Sequence, residues 1–433
     1  MNRQNAANLG LLAAVTLICL GGCEIATRLL LGNQVLLFPR YHTSAHYGEF
    51  MLRRLQPNFQ FWHTDSDGQW KFVTNSQGFR SFEDFHFEKP PRVFRVIALG
   101  DSMTEGFEVR QNYTYAAVLE RYLRKNGLKA EVFNTGISGF GTAEELVYLE
   151  NEGIKYKPDA VVLGFYANDF DDNLRSDLFR LEGGQLVIAN KTYIPGVMIL
   201  DAINAVPPLR WISENSYFYS FAVNTIWEAA KRAWQRSSEQ SAETELTVPT
   251  TIDQYKVELE LALLKRLHTF CRSHGIMLIV VDIPFRSEPD FLGSIPADLQ
   301  NQFRENSDAL ILSEDVFAPY LGLAELHGLH GTSHINEFAH LMLGIAVGRT
   351  IRTLHSSCEE SLSGPACGAA KNAGTGSVSR GASGSTDALI SDEWRMLFYR
   401  RLGSETLLRQ ARLVASLNDQ PVRPCHCNNP VSP

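Results

Sequence analysis

At 433 residues, 44% hydrophobic and 20% charged, the chain has an ordinary globular composition and enough apolar side chains for a sizeable core. A net charge of −8 argues against nucleic acid as the main partner. The seven cysteines make no framework: Cys19 and Cys23 lie in an N-terminal apolar segment, Cys271 stands alone in the body, and the rest fall in the tail.

The first segment, Leu9 to Cys23, is uncharged and mostly apolar, preceded by one basic residue, Arg3. Its length suits a signal-peptide core and is short for a full membrane span, but a helix can continue through Glu24 and Arg28 into Leu29-Leu30-Leu31. Glu24 and Arg28 stand one turn apart and can pair at a membrane interface. We read residues 1–32 as an uncleaved membrane anchor. A lipoprotein signal with Cys23 acylated is the second reading and a cleaved signal the third. The body is expected outside the cytoplasm, at the periplasm or cell surface.

Residues 40–92 hold Trp62, Trp70 and five phenylalanines from Phe72 to Phe87. They read as an irregular, aromatic-rich lead-in packed on the following body, with Gly78-Phe79-Arg80 as a turn and Pro90-Pro91 as the junction.

From residue 93 a repeating pattern begins. A strand at 93–99 is followed by an amphipathic helix near 113–126, with Tyr115, Val118, Leu119, Tyr122 and Leu123 on one face. A strand at 130–133, a helix near 142–152 and a strand at 160–165 come next. Residues 172–252 interrupt the alternation as an insertion, with the polar run 236–245 as a surface loop. A helix near 252–274, a strand at 276–281, a fifth strand through 309–312 and a helix near 336–354 complete the body. This alternation predicts an α/β fold, a parallel sheet with helices on both faces. Beyond residue 356 the composition turns rich in Ser, Gly and Ala. Residues 356–433 read as a low-complexity, mostly disordered tail with a short helix near 388–416, dispensable for activity. Cys425-His426-Cys427 in that tail is weak evidence for a metal.

Val96 to Leu99 end in Gly100-Asp101-Ser102, the point beyond the carboxyl end of a strand where open α/β sheets bind ligands. Ser102 is therefore a candidate nucleophile; alternatively Asp101 or Ser102 only caps a helix. Three further features fall in sheet-terminal loops. Gly139, lacking a side chain, lets its N–H approach a substrate oxygen. Asn168 offers an amide N–H, and His334, before the last helix, offers a base. Together these are the parts of a serine ester hydrolase: a hydroxyl, a base and an oxyanion hole.

At this point the chain resembles the SGNH (GDSL-like) hydrolase superfamily over roughly residues 93–350. The blocks are Gly100-Asp101-Ser102-Met103, Asn134 to Gly139, Ala167-Asn168-Asp169 and His334-Ile335-Asn336. The resemblance implies a flavodoxin-like three-layer sandwich, Ser102 as nucleophile and His334 as base. It also implies an oxyanion hole from the Ser102 N–H, the Gly139 N–H and the Asn168 amide. One departure stands out: Gly331 occupies the position, three before the histidine, where the family carries Asp. His334 is then oriented by a backbone carbonyl, giving a Ser–His dyad, or by a carboxylate elsewhere. Glu325 and Asp315 are nearby in sequence.

His327, His330 and His334 have spacings that suit a metal on a helix, but Gly328, Gly331, Thr332 and Ser333 argue for a loop, and no carboxylate accompanies them. No metal or other cofactor is expected, and His340 reads as a helix-face residue. The leading expectation is a membrane-anchored esterase of acyl or acetyl esters, small or on cell-envelope carbohydrate, working through an acyl-enzyme. An O-acyltransferase using the same site and a non-catalytic carbohydrate-binding protein on this fold are the alternatives. The sequence leaves the oligomeric state open.

Overall fold

In a computed structural model the chain is described over residues 3–31, 41–65, 68–192, 205–223, 252–285, 293–321, 324–328 and 334–362, with isolated positions between 202 and 233. The chain divides into two units, Met1–Cys358 and Glu359–Pro433. Of the second, only the end of one helix falls among the described residues. The expected tail helix, the Cys425-His426-Cys427 motif and the polar run 236–245 lie outside them.

The first unit is built on a five-stranded parallel sheet. In chain order its strands are β5 (Phe94–Gly100), β6 (Ala130–Asn134), β7 (Ala160–Phe165), β10 (Met277–Asp282) and β11 (Ala309–Ile311). They lie in the order β11-β10-β7-β5-β6, every neighbour parallel. Counted among themselves this is the order 2-1-3-4-5, the doubly wound arrangement whose strand order reverses between its first and third strands. Those are β5 and β7, and Ser102 and Asn168 follow them. β5 is buried at all seven positions and β7 at all six, because each is covered on both faces.

The helices lie in two layers. On one face α3 (Tyr115–Lys125) packs beneath the last helix, whose Gly344 and Gly348 face Val118 and Tyr122. The other face carries α4 (Thr142–Asn151), α5 (Asp169–Ser176) and α7 (Ile252–Ser273). The remaining described helices are α1 (Arg3–Leu31), α2 (Ser102–Glu105), α6 (Pro207–Asn215), α8 (Gln300–Glu305), α9 (Ser313–Phe317) and α10 (Glu337–Leu362). The three-layer α/β sandwich expected from the alternation is thus the fold.

The lead-in differs from the sequence reading. Instead of irregular chain it forms two antiparallel hairpins, β1 (His42–Tyr47) with β2 (Phe50–Leu55) and β3 (Gln60–Asp65) with β4 (Gly68–Val73). Their inward rings are one with the core: Tyr41 lies 5.0 Å from both Phe61 and Phe72, while Phe85 stacks on Phe133 of β6 at 3.9 Å. A small antiparallel pair, β8 (Phe179–Glu182) with β9 (Gln185–Ile188), opens the region read as an insertion.

Arg95 ties the lead-in to the sheet. It is 1% exposed, and its guanidinium donates to the carbonyls of Phe87, Glu88 and Tyr156 and to the Glu131 carboxylate at 2.7 Å. Replacing it with Ala strands three carbonyls and one carboxylate, the last partly solvated. We expect Arg95→Ala to cost on the order of 3 kcal/mol in chemical denaturation and Glu131→Gln under ~1, since the amide oxygen still accepts. Equal losses for the two variants would show that the carbonyl contacts contribute nothing.

Candidate functional site

The nucleophile loop is set by the end of β5. Asp101 Oδ1 accepts from the Met103 N–H at 2.7 Å and caps α2, placing Ser102 on its first turn. Capping and hydroxyl presentation are therefore both true here. Gly106 closes α2 in the left-handed region and the chain doubles back. Arg80, buried and delivered from the lead-in turn, fixes that reversal. Its guanidinium donates to the carbonyls of Glu105 at 2.8 Å, Val109 at 2.5 Å and Gly106. The turn carries Glu108 to the side of His334.

The loop before α10 presents His334. Asn336 knots it: its Oδ1 accepts from the Ala339 N–H at 3.1 Å, and its Nδ2 donates to the carbonyls of Glu325 at 2.6 Å and His327 at 3.2 Å. The His334 carbonyl accepts from Gly328 N at 3.0 Å. Arg110, just past Glu108, grips Glu337 at the start of α10 with two parallel bonds of 2.6 and 2.5 Å. The two loops are thereby clamped, and His334 Nε2 lies 2.8 Å from Ser102 Oγ.

On the other side of the ring, His334 Nδ1 lies 3.4 Å from Glu108 Oε1, whose side chain is only 4% exposed. That separation is ion-pair range and longer than a tight hydrogen bond, as is common before substrate binds. Burial alone lowers the imidazole's proton affinity. The bond and charge of Glu108, helped by Asp101 and Glu105, outweigh it and raise the His334 pKa above its ordinary 6.5.

The third wall is the Asn134–Gly139 loop after β6. The Asn134 amide donates to the Thr104 carbonyl at 3.0 Å, and its oxygen accepts from Gly136 N at 3.1 Å. A Cβ on Gly136 would stand 2.3 Å from Glu105 N, so only glycine lets this loop lie against α2. Glu105 Oε2 accepts from the N–H and the hydroxyl of Ser138, both at 2.7 Å. Burial holds the Glu105 carboxyl up to about 7 despite those bonds. Gly139 has a φ of +77°, which glycine adopts without strain, and the Arg53 guanidinium from β2 lies beside it.

Asn168 follows β7. Its Nδ2 is 2.7 Å from Asp172 Oδ2 and 3.3 Å from Asp101 Oδ2, so in the substrate-free protein both amide hydrogens face carboxylates. Ser102, Gly139, Asn168 and His334 are each partly buried. Such a site can present a hydroxyl, a base and N–H donors to one carbonyl.

The histidines separate cleanly. His327 Nε2 pairs with the Pro284 carbonyl at 3.1 Å, and His340, buried in α10, accepts from the Tyr115 N–H at 3.1 Å. Burial first, then the charge of Arg80, lowers His340 to about 3, so it stays neutral. His330 and Gly331 lie outside the described residues. Among the described residues no group of three His, Cys, Asp or Glu is placed to hold a metal. Sequence reasoning missed Glu108, looking for the acid near the histidine; the signal was an acid six residues after Ser102, just past a glycine turn.

Residues 98–251 match the model of the GDSL-like lipase/acylhydrolase family, a span that holds Ser102, Gly139 and Asn168 and ends before His334. No curated protein matches the chain. Among solved structures it is similar to a two-domain esterase (CEX) active on acetylated mannans, at 11% identity and a TM-score of 0.33, covering 61% of this chain and 50% of that one. The chain thus spans half the length of that esterase. It is also similar to a lipase/acylhydrolase from Enterococcus faecalis, at 15% identity and a TM-score of 0.31, covering 60% and 96%. A third is the acetyl xylan esterase AlAXEase, at 14% identity and a TM-score of 0.33, covering 58% and 96%.

The electrostatics of His334 can be read directly by NMR titration. Its apparent pKa should lie above 6.5 in the wild type and fall in Glu108→Gln, because the raising charge is gone. Glu325→Gln should leave it where it was. An unchanged value in Glu108→Gln would remove Glu108 from the pair.

Proposed function

We propose that this chain, whose residues 98–251 match the GDSL-like lipase/acylhydrolase family model, is an ester-bond hydrolase with Ser102, His334 and Glu108 as its catalytic set. The observation that carries this reading is the 2.8 Å contact between Ser102 Oγ and His334 Nε2. His334 takes the hydroxyl proton as Ser102 attacks the ester carbonyl, and Glu108 stabilises the imidazolium that forms. The N–H groups of Ser102 and Gly139 and the Asn168 amide receive the oxyanion. His334 returns the proton to the departing alcohol, and water then clears the acyl-enzyme through the same base.

The substrates are acyl or acetyl esters, small or borne on envelope carbohydrate. α1 supports that setting: the stretch Ala7–Leu31 is long and apolar enough to cross a membrane, and its most apolar part is fully exposed. It would anchor the domain at the membrane with the site on the extracytoplasmic side.

Hydrolysis of p-nitrophenyl acetate tests the set. Ser102→Ala and His334→Ala should each abolish turnover, and His334→Ala should also abolish labelling of Ser102 by an organophosphonate. Glu108→Gln should lower kcat by about 10²- to 10⁴-fold, the range for losing the group that orients a catalytic base. Since the base works deprotonated and its pKa is raised, kcat/KM should rise with pH through a midpoint above 6.5, moving to lower pH in the residual activity of Glu108→Gln. Normal labelling of His334→Ala would overturn the assignment.

A further inference from the structure

α1 does more than reach toward a bilayer. Residues 4–23 carry no charge, which gives about 30 Å of helix, the thickness of a hydrocarbon core. Glu24 and Arg28 then fall at the boundary of that core, paired at 2.6 Å. Both reach across to a break between α6 and the helical residues 217–223.

A helix break leaves backbone groups without partners. Glu24 supplies the acceptors: its carboxylate takes the N–H of Tyr217 and of Phe218, each at 3.0 Å, and the Ser216 hydroxyl at 2.7 Å. Arg28 supplies the donor, to the Asn215 carbonyl at 2.7 Å, and its guanidinium lies 4.6 Å from the centre of the Tyr217 ring. The joint is internally satisfied, as backbone must be where water is scarce.

The outer side chains match that setting. Trp211 is 65% exposed and Ile226 68%, and Leu209, Ile212 and Phe221 also face outward. Scattered exposed apolar residues are ordinary, but here they crowd one short segment fastened to the boundary of an apolar helix. Trp and Tyr favour that depth in a bilayer.

We propose that residues 205–223, with Ile226, form a second membrane contact, lying in the headgroup–acyl boundary and locked to the anchor by the Glu24–Arg28 pair. The occupant of the apolar face is lipid, because the segment is fastened at residues 215–218 to the charged end of an exposed apolar helix of membrane-spanning length. This rests on the anchor reading of α1. The segment would hold the domain at a fixed tilt, where an anchor alone would leave it free to swing.

The test uses the full chain in vesicles of phosphatidylcholine and phosphatidylglycerol, with bromine on the acyl chains near the headgroup. Flotation reports the anchor, and quenching of tryptophan fluorescence reports the segment. Trp211→Phe should remove a quenched component that the wild type shows. Glu24→Ala should weaken the Trp211 component at least about twofold while the protein still floats. Flotation with equal quenching in the wild type and Trp211→Phe would overturn the second contact and leave the anchor standing. Failure of the wild type to float would overturn both. Cross-linking through residues 209–221 to a second copy, with no lipid quenching, would assign the face to self-association and overturn the proposal.

Discussion

The 2.8 Å bond from Ser102 Oγ to His334 Nε2 joins residues 232 positions apart, and most of the surrounding structure serves to hold that separation. The sheet fixes one partner, because Ser102 leaves a strand buried along its whole length. The other partner sits on a loop, which has no such rigidity of its own. It is held by the Asn336 knot behind it and the Arg110–Glu337 clamp beside it. An error of about 1 Å in such a pair can cost a hundredfold in rate, so these supports matter as much as the reacting atoms.

A second constraint is charge. Asp101, Glu105, Glu144, Glu145 and Asp169 are all buried on the segments that follow β5, β6 and β7, the ends of the sheet that also carry Ser102, Gly139 and Asn168, where the proposed oxyanion would form. Were they all ionised, they would oppose it. Burial raises every one of their pKa values: Glu105 to about 7, Glu144 to about 8, and Glu145 and Asp169 well above the carboxylate range. Mutual repulsion adds to the effect on the last two. Burial thus shifts the deep carboxyls toward their neutral forms, while the largest charge effect raising His334 is that of Glu108, on the far side of the ring, with Asp101 and Glu105 adding to it.

The central sheet was legible because each strand is a short apolar run and each helix shows a 3.6-residue face. Buried parallel strands such as Ala160–Phe165 leave no polar alternation to confuse the pattern. The hairpins were not read, although Asp67-Gly68 lies between alternating residues: Phe61, His63, Trp70 and Phe72 point inward and Trp62 and Lys71 outward. The abundance of aromatics masked that period of two. The positions of Ser102, Gly139, Asn168 and His334 at strand ends follow from the topology. Glu108 does not, since its approach depends on a left-handed turn at Gly106 and on Arg80 from a separate layer.

In the proposed oxyanion hole, Asn168 would have to exchange one of its resting partners for substrate. Its two amide hydrogens are engaged, so reaching a substrate oxygen means giving one up. The 2.7 Å bond to Asp172 is the tighter, and Asp172 is itself paired with Arg175, which fixes that side. The 3.3 Å bond to Asp101 is the weaker, and Asp101 already has its Met103 N–H at 2.7 Å. Burial also raises the Asp101 pKa and so shifts it toward the protonated form, a poorer acceptor than a carboxylate. The hydrogen facing Asp101 is therefore the one that can turn to an incoming carbonyl at least cost. In the proposed mechanism, negative charge growing on that oxygen would outcompete Asp101, so the donor would engage most strongly in the transition state, where it would accelerate the reaction.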